Sequence, residues 1–163
     1  MNHYVYAMPQ GRMTIVDSGG AVVRIGFGVL DVEGSALSPT ALTNEAATQL
    51  MEYFAGKRRT FSLPLAPKGT PFQKEVWQAL SSIPYGQTRS YADIAAQVGR
   101  PKAFRAVGMA NNRNPIPIVI PCHRVVGSSG DMVGYAYGTK IKRYLLELEG
   151  IDVDALGRRN ARS

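Results

Sequence analysis

The spacing of apolar residues changes near residue 70, and this change limits the possible folds more than any other feature of the sequence. Before residue 70, short β-branched runs are separated by turn signals such as Pro9-Gln10-Gly11 and Ser18-Gly19-Gly20, which is typical of an antiparallel sheet. After it, apolar residues recur every three or four positions, as in amphipathic helices. The sequence therefore predicts an α+β protein, with a small N-terminal antiparallel sheet domain followed by a mostly helical domain.

Within the first part, the pattern predicts a three-stranded meander and one helix. The strands fall at residues 4–7, 13–16 and 22–25, the helix at about 43–54, and a Pro-containing linker at 57–69. A chain of 163 residues can bury one good core or two small ones. We therefore place the N-terminal domain at residues 1–69, a second domain at 70–151, and a flexible basic tail at 152–163.

The second part opens with a helix signal. Thr70 can cap the helix, Pro71 suits its first turn and Gln73 completes a capping box. Two further helices are predicted, one capped by Ser90 and running to about residue 98, the other at 102–111. Two helices joined by a tight, glycine-containing turn predict a helix-turn-helix, although the same pattern is compatible with a plain αα-hairpin.

Positive charge is concentrated in the second half of the chain. Residues 1–83 hold seven Lys or Arg and six Asp or Glu, whereas residues 84–163 hold twelve and six. Six of these cations fall between positions 89 and 124, where Asp93 is the single acid: Arg89, Arg100, Lys102, Arg105, Arg113 and Arg124. This distribution is compatible both with a footprint for a polyanion and with a solvated basic face.

Residues 114–125 form an apolar segment with three prolines that ends in Cys122-His123-Arg124. The prolines exclude a central strand and predict a stiff, buried, extended segment that holds Cys122 at the base of a pocket. His123 and Arg124 are the kinds of neighbour that convert a thiol into a nucleophilic thiolate, although a lone cysteine is also compatible with an ordinary core position. With one cysteine and two histidines in the chain, we expect no disulfide and no metal.

The last predicted helix ends with an acidic residue. Its apolar stripe consists of Ile141, Tyr144, Leu145 and Leu148. Glu149 follows in the last turn, where the helix dipole disfavours a carboxylate. Orienting an imidazole would compensate for that cost, and a frayed, exposed helix end would also explain the position.

Taken together, these motifs resemble a known family. Pro121-Cys122-His123-Arg124-Val125, preceded by Asn114-Pro115 and followed by a glycine-containing hairpin and residues 145–150, resembles the O6-alkylguanine-DNA alkyltransferases, also called methylated-DNA-protein-cysteine methyltransferases. The resemblance extends from about residue 71 to 150. It implies direct repair of double-stranded DNA, in which the alkyl group of O6-alkylguanine moves irreversibly to the cysteine in a single turnover. It implies no cofactor.

Five residues match the catalytic positions of that family. The resemblance implies that Cys122 is the nucleophile, that His123 is a base acting through a water, and that Glu149 orients the imidazole. It implies that Tyr91 protonates the leaving guanine and that Asn114 ties the recognition helix to the active-site segment. From the residues alone, Tyr91 is equally compatible with a core aromatic, and Asn114 with an Asx turn before proline.

The resemblance also assigns residues to DNA and to the base pocket. The residues matched to DNA binding are Tyr91, Lys102, Arg105 and Ala106. The family places this helix in the minor groove, where Arg105 occupies the space of the extruded nucleotide. The matched pocket residues are Val125, Tyr135, Ala136 and Tyr137. Tyr137 stands where the family usually has a small residue, so we expect methyl to be accepted more readily than benzyl.

Three other functions share part of this pattern. A helix-turn-helix regulator would bind one sequence far better than others, and a Cys/His hydrolase would turn over many ester or amide substrates. A lesion sensor of the same family would lack the cysteine, which this chain has. No apolar run approaches the roughly 20 residues of a membrane span, so we expect a cytoplasmic protein with no membrane partner. We also expect a monomer, and cooperative binding along DNA stays open.

Overall fold

The computed structural model describes residues 1–132 and 135–156. The chain divides into two compact units. The N-terminal unit comprises Met1–Lys68 and Pro115–Pro117, and the C-terminal unit comprises Gly69–Asn114 and the described residues that follow Pro117. Across the described residues, no helix combines the length and apolar character needed to cross a membrane.

The N-terminal unit is built on a four-stranded sheet. The strands are β1 (Asn2–Met8), β2 (Gly11–Ser18), β3 (Ala21–Phe27) and β4 (Ala36–Leu37), in the order β3-β2-β1-β4. The predicted antiparallel meander of β1, β2 and β3 is confirmed. Gly19 and Gly20 form its second turn with φ of 61° and 82°, which suits a two-residue hairpin loop. Strand β4, which pairs in parallel with β1, was not predicted because two residues carry no period.

Helix α1 (Ala41–Phe54) packs its apolar face on this sheet and confirms the predicted helix. It begins two residues earlier than predicted because Thr40 is the cap, bonded reciprocally with Thr43. The Thr40 hydroxyl also donates to Asp17 over 2.6 Å. The predicted linker is anchored to β3, since Val22 N–H donates to the Pro64 carbonyl and Ala66 N–H to the Val22 carbonyl.

The described part of the C-terminal unit contains four longer helices and a short parallel ladder. The helices are α2 (Pro71–Ser81), α3 (Tyr91–Gln97), α4 (Phe104–Asn112) and α5 (Thr139–Leu148), and the ladder pairs β5 (Arg89–Ser90) with β6 (Val125–Val126). The capping box of Thr70 and Gln73 is confirmed, and Ser90 forms a second one with Asp93. Helix α4 begins later than predicted because a turn at residues 100–103 precedes it, closed by Ala103 N–H donating to the Arg100 carbonyl.

The proline segment is not extended, contrary to the sequence-based prediction. The Asn114 side-chain amide donates to the Ile120 carbonyl over 2.8 Å, which closes residues 114–120 into a loop. The loop requires a reversal at Ile118, whose φ of 71° is strained for a β-branched residue. Pro115 joins the N-terminal sheet through a bond from Ile25 N–H. Cys122–Arg124 then form one turn of 3₁₀ helix.

The inward face of α5 also differs from the predicted stripe. Tyr144 is exposed, and the buried positions are Lys142, Leu145, Leu146 and Glu149. The prediction used apolar residues alone. It therefore left out Lys142 and Glu149, whose side chains point inward and are hydrogen-bonded there.

The segment after α5 is partly packed, unlike the predicted flexible tail. Val153 and Leu156 lie in a cluster with Val126 and Leu146. Val153 and Leu156 are buried, whereas Asp154 between them is exposed. Residues 157–163 lie outside the described residues. The predicted glycine-containing hairpin at residues 132–138 also falls partly outside them, and it is preceded by a turn in which Gly127 N–H donates to the Asp131 carbonyl.

Candidate active site

The Cys122 thiol is fully buried at the start of the 3₁₀ turn. Its Sγ lies 3.4 Å from the Tyr135 hydroxyl, and its carbonyl accepts a 3.3 Å bond from the Asn111 side chain. Burial raises the pKa of the thiol, whereas Tyr135, Asn114 and the positive charge of Lys142 act in the opposite direction. The thiol is therefore protonated at rest and surrounded by groups that favour the thiolate.

His123 and Glu149 are brought together, as predicted. His123 Nε2 lies 2.6 Å from Glu149 Oε2, and both side chains are fully buried. Since an ionised carboxylate only accepts hydrogen bonds, Nε2 carries the proton and Nδ1 keeps its lone pair. Nδ1 is buried and has no hydrogen-bond partner in the part of the chain that the structure describes. The imidazole is thus oriented at one nitrogen and available as a base at the other.

Glu149 is held by more than the histidine. Its carboxylate accepts two bonds from the Arg124 guanidinium, at 2.8 and 3.1 Å, and one from Gly86 N–H at 3.0 Å. Burial alone would raise the pKa of Glu149, but the bonds from His123, Arg124 and Gly86 place it well below its usual value. Burial lowers the pKa of His123, so the resting site holds a neutral imidazole beside an anion.

Arg124 does not face the thiol, although the sequence placed it beside one. Its guanidinium is committed to Glu149 and to the Ile83 carbonyl, at 2.8 Å, and lies over the Tyr85 ring. Successive residues of a 3₁₀ turn point about 120° apart, so Cys122 and Arg124 face different surroundings. The positive group near the thiol is another residue.

Sequence reasoning missed that group, which is Lys142. Its side chain is fully buried; Nζ donates to the Val125 carbonyl over 2.5 Å and lies 5.3 Å from the centre of the Tyr135 ring. Burial lowers the pKa of Lys142 to about 8, while Cys122 and Asp131 oppose the change. The available signal was its spacing, since positions 142, 145, 146 and 149 share one face of a helix.

The residues matched to the base pocket differ in their burial and in their contacts. Val125 is buried, with its N–H donating to the Cys122 carbonyl, while Ala136 is exposed. The Tyr135 and Tyr137 rings meet edge to face at 5.5 Å, and the Tyr137 hydroxyl donates to the Asn114 carbonyl over 2.9 Å. Tyr137 is therefore tied to the same residue whose side chain closes the 114–120 loop.

The residues matched to DNA binding lie on and beside α4. Lys102, Arg105 and Ala106 are all exposed. Tyr91, the first residue of α3, is half-buried and lies against Gly108, with Cδ1 3.8 Å from where a β-carbon of residue 108 would be. Burial raises the pKa of Tyr91, so its hydroxyl keeps its proton. Asn114 follows the end of α4, and its side-chain amide donates to the Ile120 carbonyl, two residues before Cys122.

No cluster of three or more His, Cys, Asp or Glu suited to a metal occurs among residues 1–132 and 135–156. The Glu149 carboxylate is instead bonded to His123, Arg124 and Gly86, and His123 Nδ1 has no hydrogen-bond partner among the described residues. A thiol, an oriented neutral imidazole and a buried ammonium support proton removal and nucleophilic attack by sulfur.

Comparison with known proteins gives one consistent answer. Residues 71–151 match the 6-O-methylguanine DNA methyltransferase DNA-binding domain, and residues 1–67 match the ribonuclease-like domain of the same family. The constitutive methylated-DNA–protein-cysteine methyltransferase of Bacillus subtilis is 51% identical over 160 residues, covering 93% of this chain and 97% of the relative. The Mycobacterium bovis protein of that name is 46% identical over 154 residues, or 91% and 93% of the two chains.

Solved structures agree. The crystal structure of Mycobacterium tuberculosis OGT in complex with DNA aligns with a TM-score of 0.87 and 41% identity, over 96% of this chain and 99% of that one. The O6-methylguanine methyltransferase of the same organism aligns with a TM-score of 0.84 and 43% identity, over 91% and 92%. The two matched domains and the identity to these relatives make this chain a member of the O6-methylguanine DNA methyltransferase family.

Proposed function

We propose that this protein repairs DNA by direct reversal, transferring the alkyl group of O6-alkylguanine to Cys122 once per molecule. The observation that carries the proposal is the buried thiol next to His123, whose Nε2 is fixed by Glu149 and whose Nδ1 lone pair has no protein partner among the described residues. This arrangement supplies a nucleophile and a base for it.

The reaction begins with deprotonation of the thiol. The proton of Sγ passes through a water to His123 Nδ1, and Glu149 stabilises the imidazolium that results. Lys142 and the Tyr135 hydroxyl favour the thiolate. Sulfur then attacks the alkyl carbon in line, the new S–C bond replaces the C–O6 bond, and the electron pair of that bond moves to guanine.

Guanine leaves more readily when it is protonated. Tyr91 is the proposed donor, since its hydroxyl is protonated at rest and it stands at the start of α3. The proton lost to guanine is regained from solvent, which also receives the proton held by His123. The product is a thioether on Cys122, which water does not cleave under mild conditions, so one molecule repairs one lesion.

We propose that α4 binds double-stranded DNA in the minor groove. Arg105 is exposed on this helix and occupies the space of the nucleotide that rotates into the pocket, where Val125, Tyr135, Ala136 and Tyr137 receive the base. A cation stacked in the gap offsets part of the few kcal/mol needed to extrude a base. Lys102 adds phosphate contact. The cytoplasm, where thiols stay reduced, suits a free reactive cysteine.

Intact-protein mass spectrometry tests the proposal. The protein is mixed with an equimolar duplex carrying O6-methylguanine, and the expected result is a stoichiometric gain of one CH₂ that peptide mapping places on Cys122. Cys122→Ala is the matched control and should bind the duplex without any gain in mass. Tight DNA binding by the wild type with no mass gain would contradict alkyl transfer and favour a regulator or lesion sensor.

A further inference from the structure

The exposed face of α4 carries two large apolar side chains that the catalytic proposal does not use. Phe104 is 47% exposed and Met109 is 63% exposed. The opposite face of the helix packs inward through Val107, Ala110 and Asn111. Two exposed large apolar side chains on one nine-residue helix make this face a candidate contact surface.

These two residues flank Arg105. At 100° per residue, Arg105 and Met109 lie one above the other on the helix, one turn apart. Phe104 is adjacent to Arg105, on the side of the helix that bears Gly108. The Tyr91 ring lies on this side too, with Cδ1 3.8 Å from where a β-carbon of residue 108 would be. The apolar groups therefore border the same surface that presents Arg105 and Tyr91.

The surroundings of this surface are cationic. Arg100, Lys102, Arg105 and Arg113 are exposed, and residues 94–122 contain no Asp or Glu. Cations with interleaved apolar side chains complement a DNA groove, in which phosphates line the rims and sugars and base edges form the floor. Phe and Met are among the side chains that proteins insert between base steps from the minor groove.

We propose that Phe104 and Met109 pack into the minor groove on either side of Arg105 and hold the opened base stack apart. The inference deepens the proposed function and rests on it. Arg105 fills the vacated position, while the two apolar side chains cover the sugars and base edges beside it. Their burial makes DNA affinity depend on a component that salt does not screen.

The test compares Phe104→Ala/Met109→Ala with Lys102→Ala, measuring the Kd for a lesion-containing duplex at several salt concentrations. We expect the double variant to bind about tenfold or more weakly, from the usual cost of losing stacking contacts. Its slope of log Kd against log salt should equal that of the wild type, whereas Lys102→Ala, which removes a phosphate contact, should lower the slope by about one. Phe104→Leu/Met109→Leu should restore most of the affinity.

Two controls separate DNA contact from damage to the pocket. Met51→Ala removes a methionine that is 45% exposed on α1 and should leave the Kd unchanged. The rate of methyl transfer from the free O6-methylguanine nucleoside should also be unchanged in the double variant, because that reaction needs no duplex. A 2-aminopurine placed beside the lesion should brighten with the wild type and much less with the double variant, reporting the loss of unstacking.

An unchanged Kd in the double variant overturns the inference, as does a reduced salt slope or an equal fall in the rates on duplex and free nucleoside. If the wild type transfers no methyl group to Cys122 while DNA binding still depends on Phe104 and Met109, the proposed chemistry fails and the contact surface stands. If the wild type transfers the methyl group but DNA binding does not depend on Phe104 and Met109, the proposed chemistry stands and the contact surface fails.

Discussion

Replacing Glu149 with glutamine tests the buried cluster that Glu149 forms with His123 and Arg124. The carboxylate accepts one bond from His123, two from Arg124 and one from Gly86. The amide is neutral and has a single acceptor oxygen, so Arg124 would remain buried without its counterion. Breaking a buried ion pair on one side costs about 3–5 kcal/mol. We therefore expect the unfolding free energy to fall by about 3 kcal/mol.

Urea unfolding measures this change, followed by the fluorescence of Trp77, which is the single tryptophan of the chain and is buried in the same unit. Glu147→Gln is the matched control. Glu147 lies on the same helix and bonds to Arg143 over 2.8 Å, but both side chains are about half exposed, so its loss should cost less than about 0.5 kcal/mol. A loss under about 1 kcal/mol in Glu149→Gln would refute the reasoning.

The same variant has a pH signature. The pKa of Glu149 is lower in the folded protein than in the unfolded chain, so the ionised group stabilises the fold above its unfolded pKa of about 4.3. That stabilisation is lost as the pH falls from this value towards the lower folded pKa. The stability difference between wild type and Glu149→Gln should therefore shrink between pH 7 and pH 3. Single-turnover methyl transfer by Glu149→Gln at pH 7 should slow by about 10²-fold or more, because the imidazolium of His123 loses the anion that stabilises it.

The remaining predictions concern the thiol and its neighbours. Lys142→Met should abolish a rise in stability between about pH 8 and 10, because the pKa of Lys142 is lowered to about 8 in the fold and the folded protein binds fewer protons there; equal pH profiles of the two unfolding free energies would contradict this. Methylation of Cys122 should lower Tm by several degrees, since an added methyl in a packed site costs about 1–3 kcal/mol; an unchanged Tm in calorimetry would count against tight packing. Tyr137→Gly should raise the benzyl-to-methyl rate ratio more than Tyr137→Phe does, and equal ratios in all three proteins would rule out gating.

The meander, α1 and the capped helices were predictable because each is encoded locally. Thr70 with Gln73, and the glycine pair at 19–20, specify a helix start and a hairpin turn within four residues. The strands β4, β5 and β6 have two residues each, which is too short for any period to be read. They form because segments that are distant in the sequence pair in the folded protein, and a local sequence pattern does not predict such pairing.

For the site, the family resemblance implied that Cys122, His123 and Glu149 act together, and in the structure His123 Nε2 lies 2.6 Å from Glu149 Oε2. It did not predict where Arg124 points or that Lys142 is buried, because both depend on tertiary partners: a carboxylate from α5 for one, the Val125 carbonyl for the other. Ionisable residues are usually assigned to the surface. The loop at residues 114–120 was not predicted, because its closure by the Asn114 side chain leaves no local signature in the sequence.

The two-rung ladder of β5 and β6 has a consequence for how the site tolerates change. Arg89 pairs with Val125 and Ser90 with Val126; Tyr91 follows the first strand directly, and Cys122 precedes the second by three residues. The separation between Tyr91 and Cys122 is thus set by main-chain bonds that every amino acid except proline can make. The spacing of these two residues therefore depends on main-chain pairing rather than on the identity of the side chains along the ladder.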